Sequence, residues 1–342
     1  MLRRTLTTFA AVAALGFAIS PALSQPKDIR WGTPPVGTSG HKALVVLANL
    51  LNKEMPNYLI SVLPTAGAIT TVKGYAVKEL DGFYGSDVAF HELATDTNRF
   101  KGFKSRVLRQ PMQSFWSNTI EVGLAIHVRN KDKIKKWGDL AGKRVFTGPL
   151  PFDTRAQTER ALNLLGVKFT YVQVDLAVVG AQLESGALDA ISIYTGSESA
   201  PPPWLAEASL AVDWAALNPS PEEIAILKAN GFSVVEVKPS VFKRDVHVDK
   251  VIELPFYYGF DVGVEVMPAD DVYKMLKLIE ANAADLAKTD PTFAQIAKDM
   301  AGFQKRGVQS SADLVPIHPG LAKYMREKGV WDSKWDAKVA TN

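Results

Sequence analysis

The sequence predicts a two-domain α/β protein with a ligand crevice between the domains. Three observations carry this. Short apolar strand patterns alternate with amphipathic helix patterns through the early chain, and the strand exits are polar and contain Gly. The same alternation then recurs in type, not in sequence. No low-complexity linker separates the halves. Strand–helix alternation implies a parallel sheet covered by helices. Such sheets bind ligands outside the carboxyl ends of their strands. Halves joined by strands rather than by a floppy linker imply a hinge.

The elements follow in order. A strand at 29–32 leads into the loop Thr33-Pro34-Pro35-Val36-Gly37-Thr38-Ser39-Gly40. A helix is expected from about 41 to 54, because Leu44, Leu47, Ala48 and Leu51 fall on one face, and Pro56 and Asn57 stop it. Tyr58, Ile60 and Val62 alternate like a half-buried strand. Thr65-Ala66-Gly67-Ala68 turns into a second helix ending near Lys78, and 82–88 holds the third strand and its exit. In the second half, strands are expected at 122–128, near 145, at 169–174 and at 188–194. A helix runs to Leu165 and another ends at Gly186. Val272, Met275, Leu276, Ile279, Ala283 and Leu286 mark a long helix near the end. The segment 315–331 reads as a helix entry and a short amphipathic helix.

Met1-Leu2-Arg3-Arg4, the apolar run 9–19 and small residues before Gln25 have the layout of a secretory signal peptide over 1–24. The run is short for a membrane span, which needs ~20 residues. Without that leader the balance is 37 basic against 36 acidic residues, and this near-neutral, interspersed surface offers no nucleic-acid footprint. The chain has no Cys, which excludes disulfides and thiolate catalysis.

Several blocks together resemble the TAXI family, the extracytoplasmic receptors of TRAP transporters. They are the loop and helix 32–54, Thr65-Ala66-Gly67-Ala68, the strand ending in Ser86-Asp87, Leu140-Ala141-Gly142-Lys143-Arg144-Val145, the block 183–191, and Pro316-Ile317-His318-Pro319-Gly320. The resemblance implies a type II periplasmic-binding-protein fold. Domain I would comprise 26–119 plus 262–342, and domain II, inserted, 120–261. It also implies a small organic-acid ligand delivered to TRAP-type membrane permease subunits, with no cofactor and no catalysis. The alternatives are a receptor for an ABC importer and a secreted enzyme. Ser39 and Gly40 stand where many members carry two Tyr, and Pro149 to Asp153 replace a Gly-rich run. Both departures point to a differently shaped, larger or more apolar solute.

The expected ligand contacts are Gly37, Thr38, Ser39 and Gly40 in the first loop, Thr65, Ala66 and Gly67 in the second, and Ser86 at the third strand exit. Thr154, Arg155, Tyr194 and Thr195 would come from the second domain. Helix starts offer unpaired N–H groups to a carboxylate. Arg155 would add a planar fork. A Tyr at a strand exit packs an apolar part of a ligand. Asp153 reads as the N-cap of its helix. Ser39-Gly40-His41-Lys42 has the Ser-x-x-Lys spacing of serine acyl-enzymes, but Ser-Asp-Asn and Lys-Thr-Gly are missing. No His-x-x-x-His pair, Walker loop or Gly-x-Gly-x-x-Gly occurs, so neither metal nor nucleotide is expected.

Overall fold

A computed structural model describes residues 25–341. The leader expected at 1–24 lies outside them. The framework is a ten-stranded mixed sheet. Its strands are β1 (Lys27–Thr33), β2 (Tyr58–Pro64), β3 (Gly82–Ser86), β4 (Trp116–His127), β5 (Arg144–Phe146), β6 (Thr170–Tyr171), β7 (Ala190–Gly196), β8 (Trp214–Leu217), β9 (Val235–Val237) and β10 (Val251–Val262). The order is β2-β1-β3-β10-β4-β7-β5-β6, with β8 on β4 and β9 on β10.

The chain therefore forms two α/β wings joined by the long strands β4 and β10, as the alternation predicts. The first wing holds β2, β1 and β3 in parallel, and the second holds β7, β5 and β6 in parallel. The expectation of a purely parallel sheet is corrected, because β10 runs antiparallel to β3, β4 and β9, and β4 runs antiparallel to β7 and β8. A chain that crosses between wings and returns must reverse direction, and both crossings are strands. The 122–128 strand is accordingly the far half of the longer β4, and all twelve residues of β4 are buried.

Helices cover the sheet: α1 (Ser39–Glu54), α2 (Ala68–Ala76) and α3 (Asp87–Thr95) on the first wing, and α4 (Asp153–Leu164), α5 (Val179–Glu184), α6 (Pro203–Ala211) and α7 (Pro221–Ala229) on the second. The chain then returns through α8 (Ala269–Thr289), α9 (Ala294–Ser311) and α10 (Pro319–Glu327). Local chemistry sets several starts. The Thr38 hydroxyl accepts from His41 N at 3.3 Å, so α1 begins two residues earlier than its apolar face suggests. Ser86 caps α3 by accepting from Ala89 N at 3.0 Å, which places Asp87 in a helix, not in the strand exit. His318 Nδ1 accepts from Gly320 N and Pro319 opens α10, as a first-turn proline should. Leu44, Leu47, Ala48 and Leu51 bury one face of α1, and Val272 through Leu286 bury one face of α8. The strand expected at 169–174 shrinks to two residues.

Candidate functional site

The parallel strands of each wing point their carboxyl ends at the other wing. Three helix starts follow from this: α1 after β1, α2 after β2, and α4 after β5. Their first N–H groups have no partner inside the helix. Thr38, Gly40, Ala68 and Thr154 from these starts line one small pocket. Tyr84, Tyr194, Tyr258 and Phe152 supply its aromatic wall. The rings of Tyr84 and Tyr258 stack at 4.2 Å, and Trp204 Nε1 donates to Tyr194 Oη at 3.2 Å. Tyr84 Oη is buried with no hydrogen-bond partner. Burial pushes both the Tyr84 and the Tyr194 phenol above the ordinary range, so both are neutral donors.

Asp153 is the centre of the wing-to-wing contact. The expectation that it caps α4 is corrected: Phe152 holds the N-cap position, and Asp153 is the first helical residue. Its fully buried carboxylate accepts from Ser86 Oγ at 2.5 Å, Tyr258 Oη at 2.9 Å and Arg99 Nη1 at 2.6 Å. Arg99 also donates from Nε to Glu92 at 2.7 Å. Close approach nearby depends on glycine. A Cβ on Gly67 would stand 3.0 Å from Pro151 O, and one on Gly40 would stand 2.7 Å from the Tyr84 ring. The pocket is only about 20 Å³ in volume. That is room for about one water molecule, so this conformation is shut.

The predicted residues are not all in one place. Thr38, Gly40, Thr154 and Tyr194 line the pocket. Ser39 is buried beside it, 4.0 Å from where a Gly196 Cβ would stand. Gly37 takes φ +87 in the turn before α1, which supports Gly there on backbone grounds. Gly67 caps α2, Ala66 is exposed, and the Thr65 hydroxyl is committed to the backbone carbonyls of Thr33 and Gly67. Ser86 reaches the site through Asp153. Arg155 instead pairs with Glu159 at 2.7 Å, stacks on Tyr171, and lines a second, larger cavity of about 760 Å³.

Thr195 faces away from the pocket. Its hydroxyl lies 2.6 Å from Glu253 Oε2 and 2.8 Å from Glu121 Oε2, on the two crossing strands. One hydroxyl proton serves one acceptor, so one of these carboxyls must itself carry a proton. Burial explains which way they shift: Glu121 is pushed up to about 7 and Glu253 well above the carboxylate range. Sequence reading missed Tyr84, Arg99, Phe152, Tyr258 and this Glu pair. The usable signal was Glu121 inside an apolar strand, since a charge there must be paired or neutral.

A model of the NMT1-like family matches residues 31–329. The narrower TAXI resemblance is not what that match names. Among solved structures, the periplasmic aliphatic sulphonate binding protein SsuA of Escherichia coli is 14% identical over 89% of this chain and 90% of its own, with a TM-score of 0.44. The alkanesulfonate-binding SsuA of Xanthomonas axonopodis, bound to MOPS, is 14% identical over 93% and 96%, at 0.46. The ligand binding component of an ABC-type import system from Staphylococcus aureus is 13% identical over 89% and 93%, at 0.42.

Proposed function

The chain belongs to the NMT1-like family, and from that premise we propose that it is an extracytoplasmic solute-binding protein of a membrane importer. It captures a small organic anion between its wings. The observation that carries this is the convergence of the α1, α2 and α4 starts, from both wings, on one pocket with a tyrosine wall. Helix starts present partial positive charge and free N–H groups to an anion. Asp153 opposes an anion, but its charge is met by Arg99 and two hydroxyls.

Binding then works by hinge motion. Residues 26–119 with 262–342 move as one body and 120–261 as the other, with β4 and β10 bending between them. A solute needs the pocket open to enter, and only the closed form supplies both walls, so the solute favours closure. The importer in this reading is of the ABC type, the class named for the Staphylococcus aureus protein. A TRAP-type permease is the second reading, favoured by the ordered TAXI-like blocks. Co-purification with each class of permease separates the two. Among the described residues no helix is long and apolar enough to cross a membrane. The reading places cleavage before Gln25, and intact-mass measurement of the exported protein checks it.

A thermal-shift screen of organic acids tests the binding itself. A cleft ligand at ~100 times its dissociation constant adds ~2.7 kcal/mol. A screen in which no acid moves the melting temperature refutes the reading.

A further inference from the structure

The cavity of about 760 Å³ lies beyond the Arg99–Asp153 pair, and nothing in the closed pocket accounts for it. Its walls come from α3, the turn at 98–99, α4, the turn after α7, β10 and the end of α9. Its volume falls in the range of small-molecule sites, roughly 300–1,000 Å³. Three polar atoms at its wall are buried and have no hydrogen-bond partner: Arg99 Nη2, Asp87 Oδ1 and Gln157 Oε1. Gln157 is 3% exposed. Native proteins rarely leave such groups unmet, because each costs about 1–3 kcal/mol. Arg160 stands at the mouth, its guanidinium carbon 4.2 Å from the Phe232 ring centre, and it makes no ion pair among the described residues. Arg155 and Arg99 have carboxylate partners in Glu159 and Glu92. Arg99 also meets Asp153, so the donors left free at the wall are Arg160 and Arg99 Nη2.

The cavity thus asks for three things in one molecule. An anionic group suits Arg160 and the free Arg99 donor. A neutral donor suits Gln157 Oε1, the acceptor the hydroxyl would meet. An ammonium would compete with Arg99 and Arg155 for Glu92 and Glu159, which leaves it Asp87 alone. Burial raises the Asp87 carboxyl to about 7, which weakens its pull on a cation near neutral pH. A flat apolar body suits Phe232, Phe256 and Tyr257. We infer that this cavity is a second binding compartment of the cleft, for a hydroxylated aromatic carboxylate. The inference rests on the solute-binding reading and deepens it.

The test is calorimetric titration of the protein with 4-hydroxybenzoate and benzoate. The expected result is saturable binding of 4-hydroxybenzoate, with benzoate weaker by about tenfold for want of the hydroxyl. Arg160→Ala weakens both by about tenfold or more through loss of a charged hydrogen bond. Gln157→Leu brings the two acids to similar affinity. Failure of 4-hydroxybenzoate to bind, equal affinity for the two acids in the unmodified protein, or indifference to Arg160→Ala each overturns the compartment. If an acid from the thermal-shift screen still binds in that event, the solute-binding reading stands and this inference alone falls. If no acid binds in either experiment, both fall.

Discussion

Asp153→Ala tests what holds the wings together. The Asp153 carboxylate joins α4 of one body to Ser86 and Arg99 of the other through two hydrogen bonds, the second an ion pair whose side chains are 0% and 18% exposed, while its third partner, Tyr258, lies on β10 within its own body. A hydrogen bond to a charged group contributes about 1.5–3 kcal/mol. Two would give about 3–6 kcal/mol if simply added. That sum is too large for opening, because in an open form water satisfies the same groups, and contacts sharing one carboxylate are not additive. Removing one partner of a buried pair typically costs about 3–5 kcal/mol. With resolvation, about 2–4 kcal/mol against closure remains, which shifts the open–closed ratio about 30- to 700-fold at 1.4 kcal/mol per tenfold. The chain has no native cysteine, so Lys53→Cys on α1 and Leu210→Cys on α6 give a clean pair of dye sites. Both positions are exposed. Single-molecule energy transfer without solute should show a longer mean distance once Asp153→Ala is added. A far-ultraviolet circular dichroism spectrum confirms that the variant folds. An unchanged distance distribution in a folded variant refutes the reasoning, and the wings are then held by other contacts.

Three further outcomes follow from the same physical picture. Glu121 titrates at about 7 when folded against an ordinary value of 4.5, so the native state holds its proton longer, and its contribution to stability is full below about 4.5 and falls as pH rises to about 7. Glu121→Gln should remove on the order of 1–3 kcal/mol of that decline, and melting curves from pH 4.5 to 7 that keep the parent slope would contradict it. His318 runs the other way: burial lowers it to about 4 while its ring bonds Met267 O and Gly320 N, so stability is lost as pH falls from about 6.5 towards 4. His318→Ala should cost about 1 kcal/mol or more at neutral pH through the lost cap and flatten this acid limb, and denaturant unfolding at pH 7 and 4.5 measures both. Gly40→Val should drive a methyl group into the Tyr84 ring, cost about 1–3 kcal/mol and abolish solute binding. Retained thermal shift by the acid found in the screen would place the solute outside this pocket.

Much of the fold was legible because its signals are local. Thr38 opens α1 through a hydrogen bond three residues away, and Leu44, Leu47 and Leu51 mark the buried face by spacing alone. Strand β10 was not legible. It carries Pro255, which argues against a central strand. The structure shows why proline is tolerated: β9 pairs only through Glu253, and β3 only from Tyr258, so one edge of β10 is unpaired at Pro255. No local pattern announces that gap.

The candidate site divides in the same way. The sequence by itself determined which loops run into helices, and hence that Thr38, Gly40 and Thr154 stand at free helix starts, because capping and turn chemistry act over three or four residues. Tertiary structure alone decided where the side chains beside them point. Arg155 turned to Glu159 and Tyr171, and Thr195 turned to Glu121 and Glu253. Asp153 gave up a capping role for partners 54, 67 and 105 residues away in sequence. A buried charge takes the partners that packing brings within reach, and that reach is set by how the two wings meet across β4 and β10.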